Sequence, residues 1–61
     1  MPVITLEAGH LSKEQKQLLA KELTEVAARI TLIPETGFYV FLKENSSENI
    51  SVGGQLLSDK D

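Results

Sequence analysis

The sequence of 61 residues contains no cysteine, no tryptophan and one histidine, His10. Without cysteine the chain has neither disulfides nor thiolate metal sites, and one histidine does not supply the several ligands of a zinc cluster. A chain this short buries only about 60% of its unfolded surface, so small domains usually need a further stabilising device. We therefore expect one domain over residues 1–61, without metal, that is stabilised by self-association.

The sequence also lacks an excess of positive charge and a long apolar run. Its formal net charge is −3, whereas nucleic-acid-binding proteins usually present a basic surface. It has no run of about 18 apolar residues, which a membrane-spanning helix requires, and no basic segment followed by an apolar one, as in a signal peptide. We expect a cytoplasmic protein that binds neither nucleic acid nor membrane.

The residues that are present predict a strand, a helix, a strand and a hairpin. Short runs of β-forming residues cover 2–7 and 37–43. Because a helix connects them, the two strands should be parallel. Within 50–57, Gly53-Gly54 favours a tight turn with positive φ angles. The predicted fold class is α+β, a β-α-β unit with a short C-terminal hairpin.

The helix is predicted over 13–31. Ser12 and Gln15 have the spacing of a capping box at its start, and Pro34 lies beyond its end. Apolar residues recur at helical intervals and predict one buried face, formed by Leu19, Leu23, Val26, Ala27 and Ile30.

The second predicted strand is apolar on both faces. Phe38, Val40 and Leu42 alternate with Tyr39 and Phe41, and successive strand residues point to opposite sides of a sheet. The helix covers one face only. The apolar residues on the other face therefore predict a contact with a further subunit.

Pro2 is the strongest catalytic candidate. Removal of an initiator methionine before a small residue such as proline leaves a free secondary amine. An α-amino group titrates near pH 8, and an apolar pocket lowers such a pKa because burial disfavours the charged form. A general base works best when its pKa is close to the working pH. Proline is also tolerated at the first residue of a strand, so the Met1-Pro2 start alone does not distinguish a catalytic proline from a structural one.

Four segments follow one another in a distinctive order: the Met1-Pro2 start, SKEQK at 12–16, LTEVAARI at 23–30 and NISVGGQLLSD at 49–59. This order resembles the 4-oxalocrotonate tautomerase family over the whole sequence. The resemblance implies a cofactor-independent isomerase in which Pro2 is the general base and moves a proton between carbons of an enol or unsaturated 2-oxo acid. It also implies a homo-oligomer, a hexamer built from dimers, with sites shared between subunits.

The sequence departs from the family at the positions that bind substrate. Leu11 and Tyr39 stand where the resemblance leads us to expect arginines, and Ile50 stands where it leads us to expect an aromatic residue. A smaller or monoanionic enol, such as that of an arylpyruvate, suits these residues better than a dicarboxylate. Tyr39 and His10 are candidates to replace the arginines, although packing is the simpler explanation of Tyr39 and a plain surface position is the simpler explanation of His10.

Two other functions are compatible with these residues. One is a non-catalytic, self-assembling oligomer whose site has decayed. The other is a hydratase or dehalogenase in which the prolyl amine activates water.

Overall fold

The computed structural model describes residues 1–59 and confirms the predicted α+β order of elements. Strand β1 is Val3–Ala8, helix α1 is Lys13–Thr31 and strand β2 is Tyr39–Glu44. Strands β3 (Ser51–Val52) and β4 (Gln55–Leu56) form the C-terminal hairpin. The strands β1 and β2 begin one and two residues later than predicted. Three single turns of 3-10 helix, which the sequence analysis did not predict, occupy 35–37, 47–49 and 57–59.

Both ends of α1 have a local cause. Ser12 Oγ accepts from the Gln15 N–H at 3.1 Å, and Gln15 Oε1 accepts from the Ser12 N–H at 2.9 Å, which completes the predicted capping box. At the other end, Leu32 adopts a φ of 63° and its N–H bonds the carbonyl of Ala28. This left-handed conformation costs a non-glycine residue about 1 kcal/mol, and it ends the helix two residues before Pro34.

The strands β1 and β2 pair in parallel, as predicted. Their register runs from Val3 beside Tyr39 to Ala8 beside Glu44. In the hairpin, Gly53 and Gly54 have φ angles of 63° and 88°, which matches the turn that joins two short antiparallel strands.

The two faces of the β1–β2 sheet differ in exposure. Ile4 and Leu6 of β1 and Val40 and Leu42 of β2 are half-buried. On the opposite face, Val3, Tyr39 and Phe41 are 51%, 52% and 48% exposed. The helix therefore covers one face of the sheet, and an apolar strip on the other face is open.

Helix α1 carries two apolar stripes rather than the single one that the periodicity predicted. Leu19, Leu23 and Ala27 are half-buried. Val26 and Ile30, which the sequence analysis assigned to the same face, are 48% and 68% exposed. Leu18 is 49% exposed. Successive positions 18, 26 and 30 are separated by eight and then four residues, and so they form a second stripe beside the first.

One copy of the chain does not contain a closed core. Among residues 1–59 no side chain is fully buried. The accessible surface is 4820 Å², about 900 Å² more than a folded monomer of this size exposes. The radius of gyration is 15.0 Å, against about 10.5 Å for a compact domain of this length. The excess of about 900 Å² in accessible surface is close to the roughly 800 Å² that each partner buries in a standard interface.

Within the described part of the chain, no helix combines the length and the apolar character needed to cross a lipid bilayer.

Candidate active site

Pro2 lies at the amino end of β1 and is held through its backbone. Its carbonyl accepts from the Tyr39 N–H at 3.0 Å, so the ladder between β1 and β2 begins at this residue. The ring is half-buried, and strand alternation places it on the same face as Ile4. Met1 precedes it and is 83% exposed. While Met1 is attached, the prolyl nitrogen belongs to a peptide bond. Removal of Met1 converts it into an amine without disturbing the bond to Tyr39.

Tyr39 shares this end of the sheet but faces the other side. It pairs with Val3 in the register, and its side chain belongs to the open apolar face. Within one copy, the phenol and the ring of Pro2 thus lie on opposite faces of the sheet. A Tyr39 hydroxyl that contacts a substrate at Pro2 would have to come from another copy.

His10 and Leu11 lie at the opposite end of the sheet from Pro2. They follow β1, whose six residues span roughly 20 Å. The structure therefore separates four of the five sequence-predicted candidates into two groups, with Pro2 and Tyr39 at the amino ends of the strands and His10 and Leu11 at the carboxyl ends.

The carboxyl ends hold a polar cluster that the sequence analysis missed. Glu44 Oε1 lies 2.6 Å from Lys16 Nζ, and Glu44 Oε2 lies 3.2 Å from His10 Nδ1 and accepts from the Leu11 N–H at 3.1 Å. The Lys16 ammonium and then the Leu11 N–H hold the pKa of Glu44 below its ordinary value of 4.5, because both stabilise the charged carboxylate. The predicted parallel pairing could have indicated this cluster, because it brings the end of β2 beside the connection between β1 and α1.

Ile50 lies immediately before β3 and is half-buried. Its carbonyl accepts from the Leu57 N–H at 2.9 Å, which closes the hairpin beyond the strand pairs. Ile50 thus belongs to a third part of the molecule, and its position is set by the hairpin rather than by the sheet.

A groove of about 490 Å³ runs along α1, and Pro2 is not among its lining residues. The groove is lined mainly by apolar side chains, with two polar ones, Gln15 and Glu22. The complete lining is Leu11, Gln15, Leu18, Leu19, Glu22, Leu23 and Val26. The groove contains exposed residues of the second stripe of α1. We interpret it as part of the apolar surface that one copy leaves open.

Comparison with known proteins identifies the family. Residues 2–60 match the family model described as tautomerase enzyme. The chain belongs to the tautomerase family. It is 38% identical over 61 residues to a probable tautomerase of Bacillus cereus, and the match covers 98% of this chain and 100% of that protein.

Solved structures show the tautomerase fold directly. A homologue of 4-oxalocrotonate tautomerase superposes with a TM-score of 0.88 at 32% identity, covering 100% of this chain and 98% of that one. A structure concerned with trans-3-chloroacrylic acid dehalogenase activity superposes with a TM-score of 0.76 at 25% identity, covering 90% of this chain and 97% of the other. The β-α-β unit and hairpin are therefore shared with a 4-oxalocrotonate tautomerase homologue and with a structure concerned with dehalogenase activity.

Proposed function

We propose that this member of the tautomerase family is a keto-enol isomerase that uses the amine of Pro2 as its general base after Met1 is removed. The supporting observation is the position of Pro2, which is half-buried immediately before β1 and whose carbonyl accepts the hydrogen bond from the Tyr39 N–H. A nitrogen held in this way at the end of a strand can face a substrate without a flexible side chain.

The proposed reaction moves one proton. The neutral amine removes a proton from the carbon next to the carbonyl of a 2-oxo acid, and the electron pair of that bond moves towards the carbonyl oxygen. The protonated amine then returns the proton to a different atom of the conjugated intermediate. A positioned general base contributes about 10²–10⁴-fold to the rate. The residues proposed here need no cofactor for this transfer.

The proposed substrate is a small enol or unsaturated 2-oxo acid. Leu11, Tyr39 and Ile50 offer two aliphatic side chains and one phenol, and none of them carries a positive charge at neutral pH. We infer that a pocket formed by these residues favours one carboxylate and an apolar remainder over a dicarboxylate.

The proposed active form is a homo-oligomer with a dimer as its building unit, and a hexamer is our expectation for the complete assembly. Two observations support this. Residues 1–59 of one copy enclose no buried core, and the candidate residues of one copy lie at opposite ends of the sheet.

The test is the ketonisation of an arylpyruvate enol by Pro2→Ala, which keeps a terminal amine but loses the secondary amine. We expect the rate to fall by about a hundredfold or more, with the helical circular dichroism unchanged. Pro34→Ala is the matched control and should keep the wild-type rate. Equal rates for Pro2→Ala and the wild type over several enols would contradict the proposal and favour a non-catalytic oligomer.

A second candidate is hydrolytic dehalogenation of an unsaturated acid. Its support is the structural similarity to the dehalogenase-related chain. Chloride release from 3-chloroacrylate, without ketonisation of any enol, would favour this activity.

A further inference from the structure

We propose that His10, held by Glu44, is a catalytic residue that acts on a substrate at Pro2 of a second copy of the chain. This inference rests on the proposed function. It assigns to His10 the hydrogen bond to the substrate carbonyl oxygen, and to Glu44 the positioning of the imidazole.

The contacts of Glu44 orient the imidazole. Oε2 lies 3.2 Å from His10 Nδ1, and the same oxygen accepts from the Leu11 N–H, which fixes the carboxylate against the backbone. Lys16 occupies the other oxygen. The imidazole is therefore held through Nδ1, and its Nε2 is left for another partner. The side chain is 91% exposed, which leaves room for a ligand.

The unpaired edge of β1 predicts where this imidazole lies in a dimer. In the described part of the chain the sheet has two strands, so β1 and β2 each have an open edge. The edge of β2 ends in the charged residues Lys43 and Glu44, whereas β1 has one charged residue, Glu7. Charges at a strand edge discourage pairing. We therefore place the dimer contact along β1.

Two copies related by a two-fold axis pair their β1 strands antiparallel. Full overlap of Val3–Ala8 sets Val3 of one copy beside Ala8 of the other. Pro2 of one copy is then next to Gly9 and His10 of the second copy. The two groups that lie roughly 20 Å apart in one chain become neighbours in the dimer.

In this site Pro2 accepts the carbon-bound proton, and the electron pair of the broken C–H bond forms a C=C bond as the carbonyl electrons move onto oxygen. The imidazole of the second copy donates its Nε2–H to that oxygen, a role that requires a proton on each ring nitrogen because Nδ1 faces the carboxylate of Glu44. The proton stays on His10 throughout. A donor aimed at a developing oxyanion in a preorganised site contributes about 10²–10³ in rate.

The first test compares single and double variants in enol ketonisation. We expect His10→Ala to lower kcat by about a hundredfold and Glu44→Gln to lower it by about tenfold. The double variant should be no slower than His10→Ala, because Glu44 acts through the imidazole. Glu25→Gln, an exposed change on α1 with the same loss of charge, should keep the wild-type kcat. Wild-type kcat in His10→Ala, or additive losses in the double variant, would overturn the assignment.

The second test asks whether the two residues act across copies. Pro2→Ala and His10→Ala chains are unfolded together and refolded as an equal mixture. Each mixed dimer then has one site with both residues intact, so the mixture should recover about a quarter of the wild-type activity. No recovery above the mean of the separate variants would overturn the inference. If Pro2→Ala alone keeps full activity, the proposed function fails. If Pro2→Ala is inactive and His10→Ala is not impaired, only this inference fails.

Discussion

The two ends of the β1–β2 sheet differ in chemistry. At the amino ends, Pro2 and Tyr39 are joined through the backbone and surrounded by apolar strand residues. At the carboxyl ends, Glu44 collects Lys16, His10 and a backbone N–H. One end offers the Pro2 amine without a charged partner, and the other offers charged and polar side chains without that amine. Neither end alone is a plausible site, and this is why we place the functional unit in an assembly.

The largest expected effect comes from disrupting the contact between copies at the open apolar face of the sheet. Phe41→Asp places a carboxylate in the centre of the open apolar face, where burial of an unpaired charge costs several kcal/mol. We expect light scattering to give a dimer in place of a larger assembly, because the contact along β1 does not involve this face. Ketonisation should fall at least about a hundredfold, because Tyr39 of another copy no longer reaches Pro2. Gln17→Asp, an equal charge on an exposed helical position, should assemble and react normally. A Phe41→Asp protein that assembles and reacts like the wild type would contradict the role of this face.

Tyr39→Phe tests whether the amino end of the sheet provides a substrate contact in addition to the Pro2 amine. If the phenol donates a hydrogen bond to the substrate oxygen, kcat should fall by about tenfold to a hundredfold, with the oligomer unchanged. The measurement is kcat and KM for an arylpyruvate enol. Unchanged values for both would assign Tyr39 to packing on the open face.

Ser12→Ala tests the carboxyl end for stability apart from chemistry. Loss of the cap to the Gln15 N–H should lower the free energy of unfolding by about 1 kcal/mol. The measurement is urea unfolding at a fixed chain concentration, because the stability of an oligomer depends on concentration. Ser47→Ala, an exposed serine in the loop before the hairpin, is the control. Equal midpoints for the two variants would contradict the role of the capping box.

The smallest expected effect is on the pH dependence of stability. The folded pKa of Glu44 is below 4.5, so between the folded and ordinary values the unfolded chain binds more protons at this residue. Its stabilising contribution is therefore present above about pH 4.5 and is lost as the pH falls through the folded value. Urea midpoints below pH 4.5 should decline less steeply in Glu44→Gln than in the wild type or Glu25→Gln. Identical slopes in all three would contradict the contacts of this carboxylate.

The sequence predicted the features that depend on local chemistry. The capping box of Ser12 and Gln15, the turn at Gly53-Gly54 and the parallel strands all follow from residue type, spacing and connection length. Pro2 was a candidate because of the chemistry of its nitrogen, and the structure adds its partial burial and its bond to Tyr39.

Other features depend on distant parts of the chain and were not predictable in this way. The contacts of Glu44 with Lys16 and His10 require the register of β2 against β1. The exposure of Val26 and Ile30 arises because adjacent helical stripes satisfy nearly the same periodicity, and only packing separates them. The left-handed Leu32 replaces the glycine that commonly ends a helix, so composition gave no sign of it.

The most direct test of the central claim changes only the nitrogen of Pro2. A chain of this length is accessible to chemical synthesis, so residues 2–61 can be made with a free or an acetylated Pro2. Both forms keep every side chain and the carbonyl that bonds Tyr39. We predict that the free amine ketonises an arylpyruvate enol and that the acetylated chain does so at least about a hundredfold more slowly. Equal rates for the two chains would contradict a catalytic role for the amine of Pro2.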